Sequence, residues 1–317
     1  MTDAKKQIVS VVTPCYNEEE NIQLLYETVR NVFDELPEYE YEHLIIDNFS
    51  TDNTRTVLRS IAGGDPRVKL IFNSRNFGYI RSMYHGVMQT TGDAVTVLAA
   101  DLQDPPALIK DLLEKRAEGF DVVMAVKEDS QEGRLMFALR SLFYKMIRNL
   151  SDEVKMVDNF FGFGIFDRKV IEFLKQMDEP HPYFRGLIAE AGMKRTVLKY
   201  VQPLRKRGST NFNLYRLYDF AMIALTNYSK IPIRLISVFG IIFGMSSLVL
   251  GVLTLIVKLM KWSIFPVGVA ALMVMFFFFI AVNFLFLGLL GEYILSIHSR
   301  VSKKPHVFEM ERINFDR

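Results

Sequence analysis

The sequence predicts an α/β fold with a mainly parallel sheet and flanking helices, followed by interfacial amphipathic helices and a two-helix transmembrane hairpin. Three observations carry this expectation. Short β-branched runs alternate with amphipathic, charged stretches over residues 1–210, the pattern of strands joined by crossover helices. Two charge-free apolar runs follow, Leu235 to Val257 and Ser263 to Gly291, each longer than the roughly 20 residues a helix needs to span a bilayer. Between these regimes Phe212, Tyr215, Tyr218, Met222 and Leu225 recur at helical spacing among basic residues, as in helices lying in a membrane interface.

Ile8 to Thr13 reads as a buried strand. Asn17 then offers a helix cap, with Glu20 three residues on as in a capping box, and Ile22, Leu25, Val29 and Phe33 follow at helical spacing. Leu44 to Ile46 is a second strand, ending at Asp47. Ser50 to Thr54 starts another helix, carrying apolar Val57, Leu58 and Ile61. Val68 to Phe72, Ala94 to Leu98 and Val122 to Val126 are the third, fourth and fifth strands. In such sheets ligands bind beyond the carboxyl ends of the strands, which is where Asn17, Asp47 and Asp101 fall.

The apolar runs are joined only by Lys258 to Trp262, so they form a hairpin with both ends on one side. Lys230, Arg234, Arg300, Lys303 and Lys304 lie on that side, against Lys258 and Lys261 in the turn, a bias that places the ends inside. The N-terminus, MTDAKKQIVS, lacks the apolar core of a signal peptide, so the chain is expected to start inside the cell. The expected organisation is a cytoplasmic catalytic domain (1–210), interfacial helices (211–232), two transmembrane helices (233–295) and a cytoplasmic tail (296–317), in the inner (plasma) membrane. Gly240 and Gly244 form a small-xxx-small pair that can support helix packing in a homo-oligomer.

Half the residues are hydrophobic and 26 are Phe, which agrees with membrane segments. A net charge of +2 gives no argument for a nucleic-acid partner. The single cysteine, Cys15, excludes an intrachain disulfide. The five histidines show no metal-ligand spacing, and His85 and His181 read as structural.

Three polar clusters sit at strand ends: Asn17-Glu18-Glu19, Asp47-Asn48 and Asp101-Leu-Gln103-Asp104. Asp101 and Gln103, two apart, can both reach a hard divalent cation that also binds phosphate oxygens. Pro105-Pro106 stiffens the exit from that loop and suits the start of the next helix.

The segments Val11-Val-Thr-Pro14-Cys-Tyr16-Asn17-Glu18, Ile46-Asp47-Asn-Phe-Ser-Thr-Asp-Asn-Thr54, Arg75-Asn-Phe-Gly78 and Ala100-Asp-Leu-Gln-Asp-Pro-Pro106 occur in that order. Phe166-Asp-Arg-Lys-Val170, Phe184-Arg-Gly-Leu187 and Arg205-Lys-Arg-Gly-Ser-Thr-Asn-Phe212 follow. Over nearly the full chain this resembles family 2 glycosyltransferases of GT-A (Rossmann-like) fold. With the two-helix tail it is similar to their polyprenyl-phosphate branch, which includes bacterial undecaprenyl-phosphate glucosyltransferases and dolichol-phosphate mannose synthases.

The resemblance implies an enzyme that moves a sugar, with UDP-glucose the expected donor and GDP-mannose the alternative, onto a polyprenyl phosphate such as undecaprenyl phosphate. The reaction inverts the anomeric carbon and uses Mg²⁺ or Mn²⁺. By matched position, Pro14, Tyr16, Glu18 and Asp47 resemble the nucleotide pocket, and Asp101 and Gln103 the metal and diphosphate site. Arg205 and Thr210 resemble the Arg and Ser of the late Arg-x-x-Gly-x-Ser motif, while Arg75 and Arg185 are basic candidates for phosphate contacts. Asp158 and Glu190 are the carboxylates available as a base or for positioning the sugar. The acceptor phosphate has a second pKa of about 6, so its dianion attacks without losing a proton. The chemistry then asks for positioning and charge neutralisation more than for a base.

Four departures stand out. Ala99 replaces the first acid of Asp-x-Asp-x-Gln, and Phe49 replaces the glycine of Asp-Asp-Gly-Ser, which suggests a different turn. Gly164 stands where the family has an arginine, and Tyr79 where it often has a lysine. Two competing readings follow. A processive polysaccharide synthase would carry Gln-x-x-Arg-Trp, but here Gln202-Pro-Leu-Arg205 precedes Lys206. A catalytically inactive membrane partner is the reading that Ala99 and Gly164 suggest.

Overall fold

A computed structural model describes residues 6–128, 157, 160–177, 179, 182–201 and 305–315, with isolated helical positions between 242 and 301. The chain forms two compact units, one of residues 1–142, 154–211 and 303–317, the other of residues 143–153 and 212–302.

The first unit is built on an eight-stranded sheet of order β7-β5-β6-β4-β1-β2-β3-β8. Its strands are β1 (Gln7–Cys15), β2 (Tyr39–Asp47), β3 (Val68–Asn73), β4 (Ala94–Val97), β5 (Val122–Lys127), β6 (Phe160–Asp167), β7 (Arg195–Tyr200) and β8 (Glu309–Ile313). The five predicted strands are β1 to β5. Strands β4, β1, β2 and β3 are mutually parallel. Strand β6 lies antiparallel between β4 and β5, and β8 is antiparallel to β3, so the sheet is mixed at both sides of its parallel centre. The Phe- and Gly-rich β6 is buried and has no polar alternation to announce it.

Helices α1 (Ile22–Asp34), α2 (Thr54–Gly64) and α4 (Leu108–Ala117) pack on one face with Val9, Val11, Ile45, Leu70 and Leu98. Helices α3 (Tyr79–Gln89), α5 (Arg168–Met177) and α6 (Phe184–Glu190) cover the other, against Val12, Leu44, Ile46, Ile71 and Phe166. Gly86 lets α3 approach closely, because a Cβ there would fall 2.2 Å from Ile46 Cδ1 and 2.8 Å from Val12 Cγ1. The predicted Asn17 cap and Glu20 capping box do not form. Helix α1 starts at Ile22, and Asn17 takes a left-handed conformation at φ 55°. Its side-chain oxygen instead accepts the Thr51 N–H at 2.8 Å.

The last strand comes from the predicted C-terminal tail. Ser74 N–H donates to Phe308 O at 2.9 Å. Asn314 Nδ2 donates to Ala62 O and Val68 O, each at 2.9 Å. Arg59 pairs with Glu311, and His85 with Glu309, which gives His85 a structural role. His181 lies outside the described residues.

Segment 211–232 also lies outside the described residues, as do most of 233–295 and the glycine pair at 240 and 244. Among the described residues no helix is long and apolar enough to cross a membrane. Those described in the second unit are helical, and Met260, Leu272, Phe276, Leu287 and Ile294 are exposed there.

The amino ends of the central strands are tied by one carboxylate. Buried Glu42 accepts from Lys69 Nζ at 2.6 Å, Ser10 Oγ at 2.5 Å and Thr91 N–H at 2.8 Å. Burial alone would raise its pKa, but Lys69, Ser10 and Thr91 outweigh that and hold it below the usual carboxylate value. Its stabilisation is therefore complete above the ordinary carboxylate range and is lost as pH falls through the depressed folded-state value. Glu42→Gln, which leaves Lys69 unpaired, should cost about 3 kcal/mol at neutral pH. Thermal unfolding in detergent should show a gap between wild type and variant that narrows with acidification. A gap independent of pH would contradict this account.

Candidate active site

Parallel pairing sets Cys15 level with Asp47, so the chain leaves β1 and β2 at the same height and the two following loops meet. Asn48 N–H donates to Cys15 O at 2.9 Å. Asn17 N–H donates to Ser50 Oγ and Glu18 N–H to Thr54 Oγ1, each at 2.9 Å. Glu19 Oε2 accepts the Asn53 N–H at 2.8 Å. Each loop thus supplies the partners for the other's backbone groups, as partly buried polar groups require.

Pro14 is buried at the end of β1, opposite Ile46, and Tyr16 projects beyond it, 44 % exposed. Glu18 accepts from Asn21 Nδ2 at 2.7 Å. Asp47 is fully buried. It accepts from Arg55 Nε at 2.6 Å and from the Ser50 N–H at 3.2 Å. Its carboxylate works inward, holding the loop and Arg55. The Cys15 thiol is buried, and burial together with Asp47, Glu18 and Asp52 pushes its pKa up, so it stays protonated and is no nucleophile.

Phe49 adopts the left-handed conformation that glycine favours, at φ 70°, although that region costs an L-residue roughly 1–2 kcal/mol. The Arg55 guanidinium lies 5.0 Å from the Phe49 ring centre. Asn48 joins the third loop: its Oδ1 accepts Phe77 N–H at 2.9 Å and its Nδ2 donates to Asn76 Oδ1 at 2.8 Å. Arg75 is exposed, stacked 4.0 Å from the Phe77 ring centre.

After β4 the chain turns through Leu102 at φ 57°, and Asp101 Oδ1 accepts the Gln103 N–H at 3.2 Å. This brings both predicted ligands onto one tight, partly exposed turn. Asp104 accepts from Tyr200 Oη at 2.5 Å and lies 3.8 Å from Lys127 Nζ. Burial pushes the Asp104 carboxyl above its usual range, Asp101 adds to this, and Lys127 and Tyr200 offset it only in part. Tyr200 is itself pushed up by burial and by Asp104, so it remains a phenol and donates to Asp104. Four non-glycine residues have positive φ among those described, and Asn17, Phe49 and Leu102 each follow a central strand at its carboxyl end. Backbone strain collects at functional sites.

Asp101 and Gln103 are hard oxygen donors, which suits Mg²⁺ or Mn²⁺ if a diphosphate completes the shell. Among the described residues no group of three or more His, Cys, Asp or Glu is placed to hold a metal, in keeping with Ala99 in place of a second acid. Gly164 is more than a missing arginine, because any Cβ there would lie 2.4 Å from Val123 O, and β5 and β6 close over the position. Arg185 Nη1 donates to Phe160 O at 2.9 Å, and Glu190 is exposed at the end of α6. Asp158, Arg205 and Thr210 lie outside the described residues. The Asp167-Arg168 motif lies at the carboxyl end of antiparallel β6, level with the amino end of β4 and away from the carboxyl ends of the parallel strands. Asp167 accepts from Arg116 Nη2 at 2.7 Å, and Arg168 Nε donates to Gly92 O at 2.7 Å. Asp104 was legible only as part of the Asp101-Leu-Gln103-Asp104 cluster, and Arg55, Lys127 and Tyr200 were not singled out by sequence reasoning. Of those three, only Lys127 carried a usable signal, a basic residue at a strand's carboxyl end.

The family model "Glycosyl transferase family 2" matches residues 10–174, from β1 into α5. The glycosyltransferase YkcC of Bacillus subtilis is 34 % identical over 93 % of this chain and 91 % of its own length. The prophage bactoprenol glucosyl transferase homolog of Escherichia coli K12 is 32 % identical over 94 % of this chain and 96 % of its own. The SfII prophage-derived bactoprenol glucosyl transferase of Shigella flexneri is 34 % identical over 94 % and 96 %. On the matched strand-end motifs and this near-complete relationship, the chain belongs to glycosyl transferase family 2.

Proposed function

We propose that this protein transfers glucose from UDP-glucose to a polyprenyl phosphate, undecaprenyl phosphate, with inversion at the anomeric carbon. The observation that carries the reading is likeness over 94 % of this chain to relatives named bactoprenol glucosyl transferase. It runs through the apolar C-terminal region as well as the sheet. The strand-end loops supply what such a transfer needs: a rigid cradle over β1 and β2, and the Asp101–Gln103 turn over β4.

Asp101 and Gln103 would hold Mg²⁺ or Mn²⁺, which would neutralise charge on the departing diphosphate. The protein's own groups orient the donor. The loop after β4 is fixed from behind by Tyr200 through Asp104, so the Asp101 turn need not reorganise as charge develops. The acceptor dianion needs no base to activate it.

The lipid acceptor requires the active site to stand at a bilayer surface, and the fold supports that arrangement. Strands β7 and β8 flank the apolar runs in sequence yet belong to one sheet, so any crossings between them are even in number. A two-helix hairpin satisfies this. The exposed apolar helical residues Leu272, Phe276, Leu287 and Ile294 suit contact with lipid tails. The proposed location is the inner membrane, with the catalytic domain and both termini cytoplasmic.

Two outcomes test the reading. Purified protein in detergent, given undecaprenyl phosphate and labelled UDP-glucose with Mn²⁺ or Mg²⁺, should form a lipid-linked sugar. Asp101→Ala should reduce turnover on the order of 100-fold or more, the scale of losing several kcal/mol of charge stabilisation. Product from GDP-mannose alone would replace the donor; no product from any nucleotide sugar would overturn the reading. Secondly, the rate at saturating donor should rise with unit slope as the acceptor ionises at about pH 6 and then level off. A second ionisation on the acidic limb would show that a group besides the acceptor phosphate must be deprotonated.

A further inference from the structure

Phe49 combines features that a loop residue does not ordinarily combine. Its backbone is left-handed, at φ 70°, where glycine would sit without strain. The residue is 39 % exposed, so it is not part of the core. The ring is nevertheless held in place, with the Arg55 guanidinium 5.0 Å from its centre, and Arg55 is itself pinned by Asp47 at 2.6 Å. Tyr16 lies on the loop after β1, which is joined to the Phe49 loop. The hydrogen bonds Asn48 N–H to Cys15 O and Asn17 N–H to Ser50 Oγ, both 2.9 Å, bracket the two residues on either side. Two exposed aromatic residues are thus carried by hydrogen-bonded loops at the carboxyl ends of β1 and β2. Meanwhile Asp47, the carboxylate nearest them in the chain, is fully buried and engaged by Arg55 and Ser50.

We propose that Phe49 is a donor-binding residue of this chain, stacking on the nucleobase beside Tyr16. The inference rests on the nucleotide-sugar reading above and assigns a role in it to a position where a bulky side chain is otherwise disfavoured. Any base offers a flat π-face, and aromatic stacking tolerates base identity. Recognition by two rings therefore grips the nucleotide while leaving discrimination between bases to other groups. The residue stands at the ligand end of the sheet, and the Arg55–Asp47 pair holds its ring.

Phe49→Gly separates this role from a structural one, because glycine suits the backbone. Binding of UDP, of GDP and of pyrophosphate as the base-free probe would be measured by calorimetry on the full-length protein in detergent with Mn²⁺. The same measurements on Phe49→Gly and Phe49→Tyr, with thermal unfolding of all three proteins, complete the set. Phe49→Gly should weaken the nucleotide about tenfold or more while pyrophosphate stays within about twofold, and Phe49→Tyr should bind as wild type. The glycine variant should melt no lower than wild type. Unchanged nucleotide binding in Phe49→Gly, or equal loss of nucleotide and pyrophosphate, would overturn the inference while leaving the transferase reading intact. Wild-type protein that binds neither UDP nor GDP would overturn both.

Discussion

The ligand end of this molecule depends on the register of β1 against β2. Because Cys15 lies opposite Asp47, both strands release their chains at one level, and neither loop can satisfy its backbone without the other. Asn17 to Glu19 and Ser50 to Thr54 therefore close into one hydrogen-bonded body. A slip of one residue would point each strand's apolar side chains at the wrong face and would separate these partners. Asn48 carries the constraint outward to Asn76 and Phe77, so the loops after three adjacent parallel strands are joined by side-chain hydroxyls, amides and a carboxylate.

The opposite end of the sheet solves a different problem. There Glu42, Ser10, Lys69 and Thr91 join β1, β2 and β3 to the chain entering β4. Arg168 ties the start of α5 to Gly92 and Thr90, and Arg116 joins α4 to Asp167. These groups are as polar as those at the carboxyl end, but their hydrogen bonds are closed among themselves. The Asp167-Arg168 motif belongs to this end. Its residues hold α4, α5 and the β4 entry together, which is a reason for a motif that requires no ligand.

The parallel centre of the fold was legible because β-branched runs and 3.6-residue periodicity agree with one another from Ile8 to Val126. The outer strands were not. β6 is buried and Phe-rich, β7 and β8 are short and carry charged residues, and their pairing is decided by tertiary contacts that no local pattern encodes. Asn17 was misread for a related reason. An Asn followed three residues later by Glu is a helix-start signal only if its side chain is free to turn back, and here Thr51 takes it. The strand-end rule did locate Asp47, Asp101 and Gln103. It could not show that Asp47 faces inward to Arg55, because that partner lies eight residues on in the next helix and nothing in the spacing marks it.

Among the described residues, three of the four left-handed non-glycine residues lie at the carboxyl ends of central strands, and the fourth, Asn314, follows β8 at the opposite end of the sheet. Asn17, Phe49 and Leu102 are left-handed at the carboxyl ends of β1, β2 and β4. Asn tolerates that conformation because its side chain can hydrogen-bond locally, whereas Phe and Leu gain nothing local in return. Folding alone would favour glycine at both. Leu102 packs against the core on the α1 face, so burial of its side chain compensates for its backbone. Phe49 is the more exposed of the two and is held by the Arg55 guanidinium at its ring, at the loop where the topology of such a sheet favours a ligand.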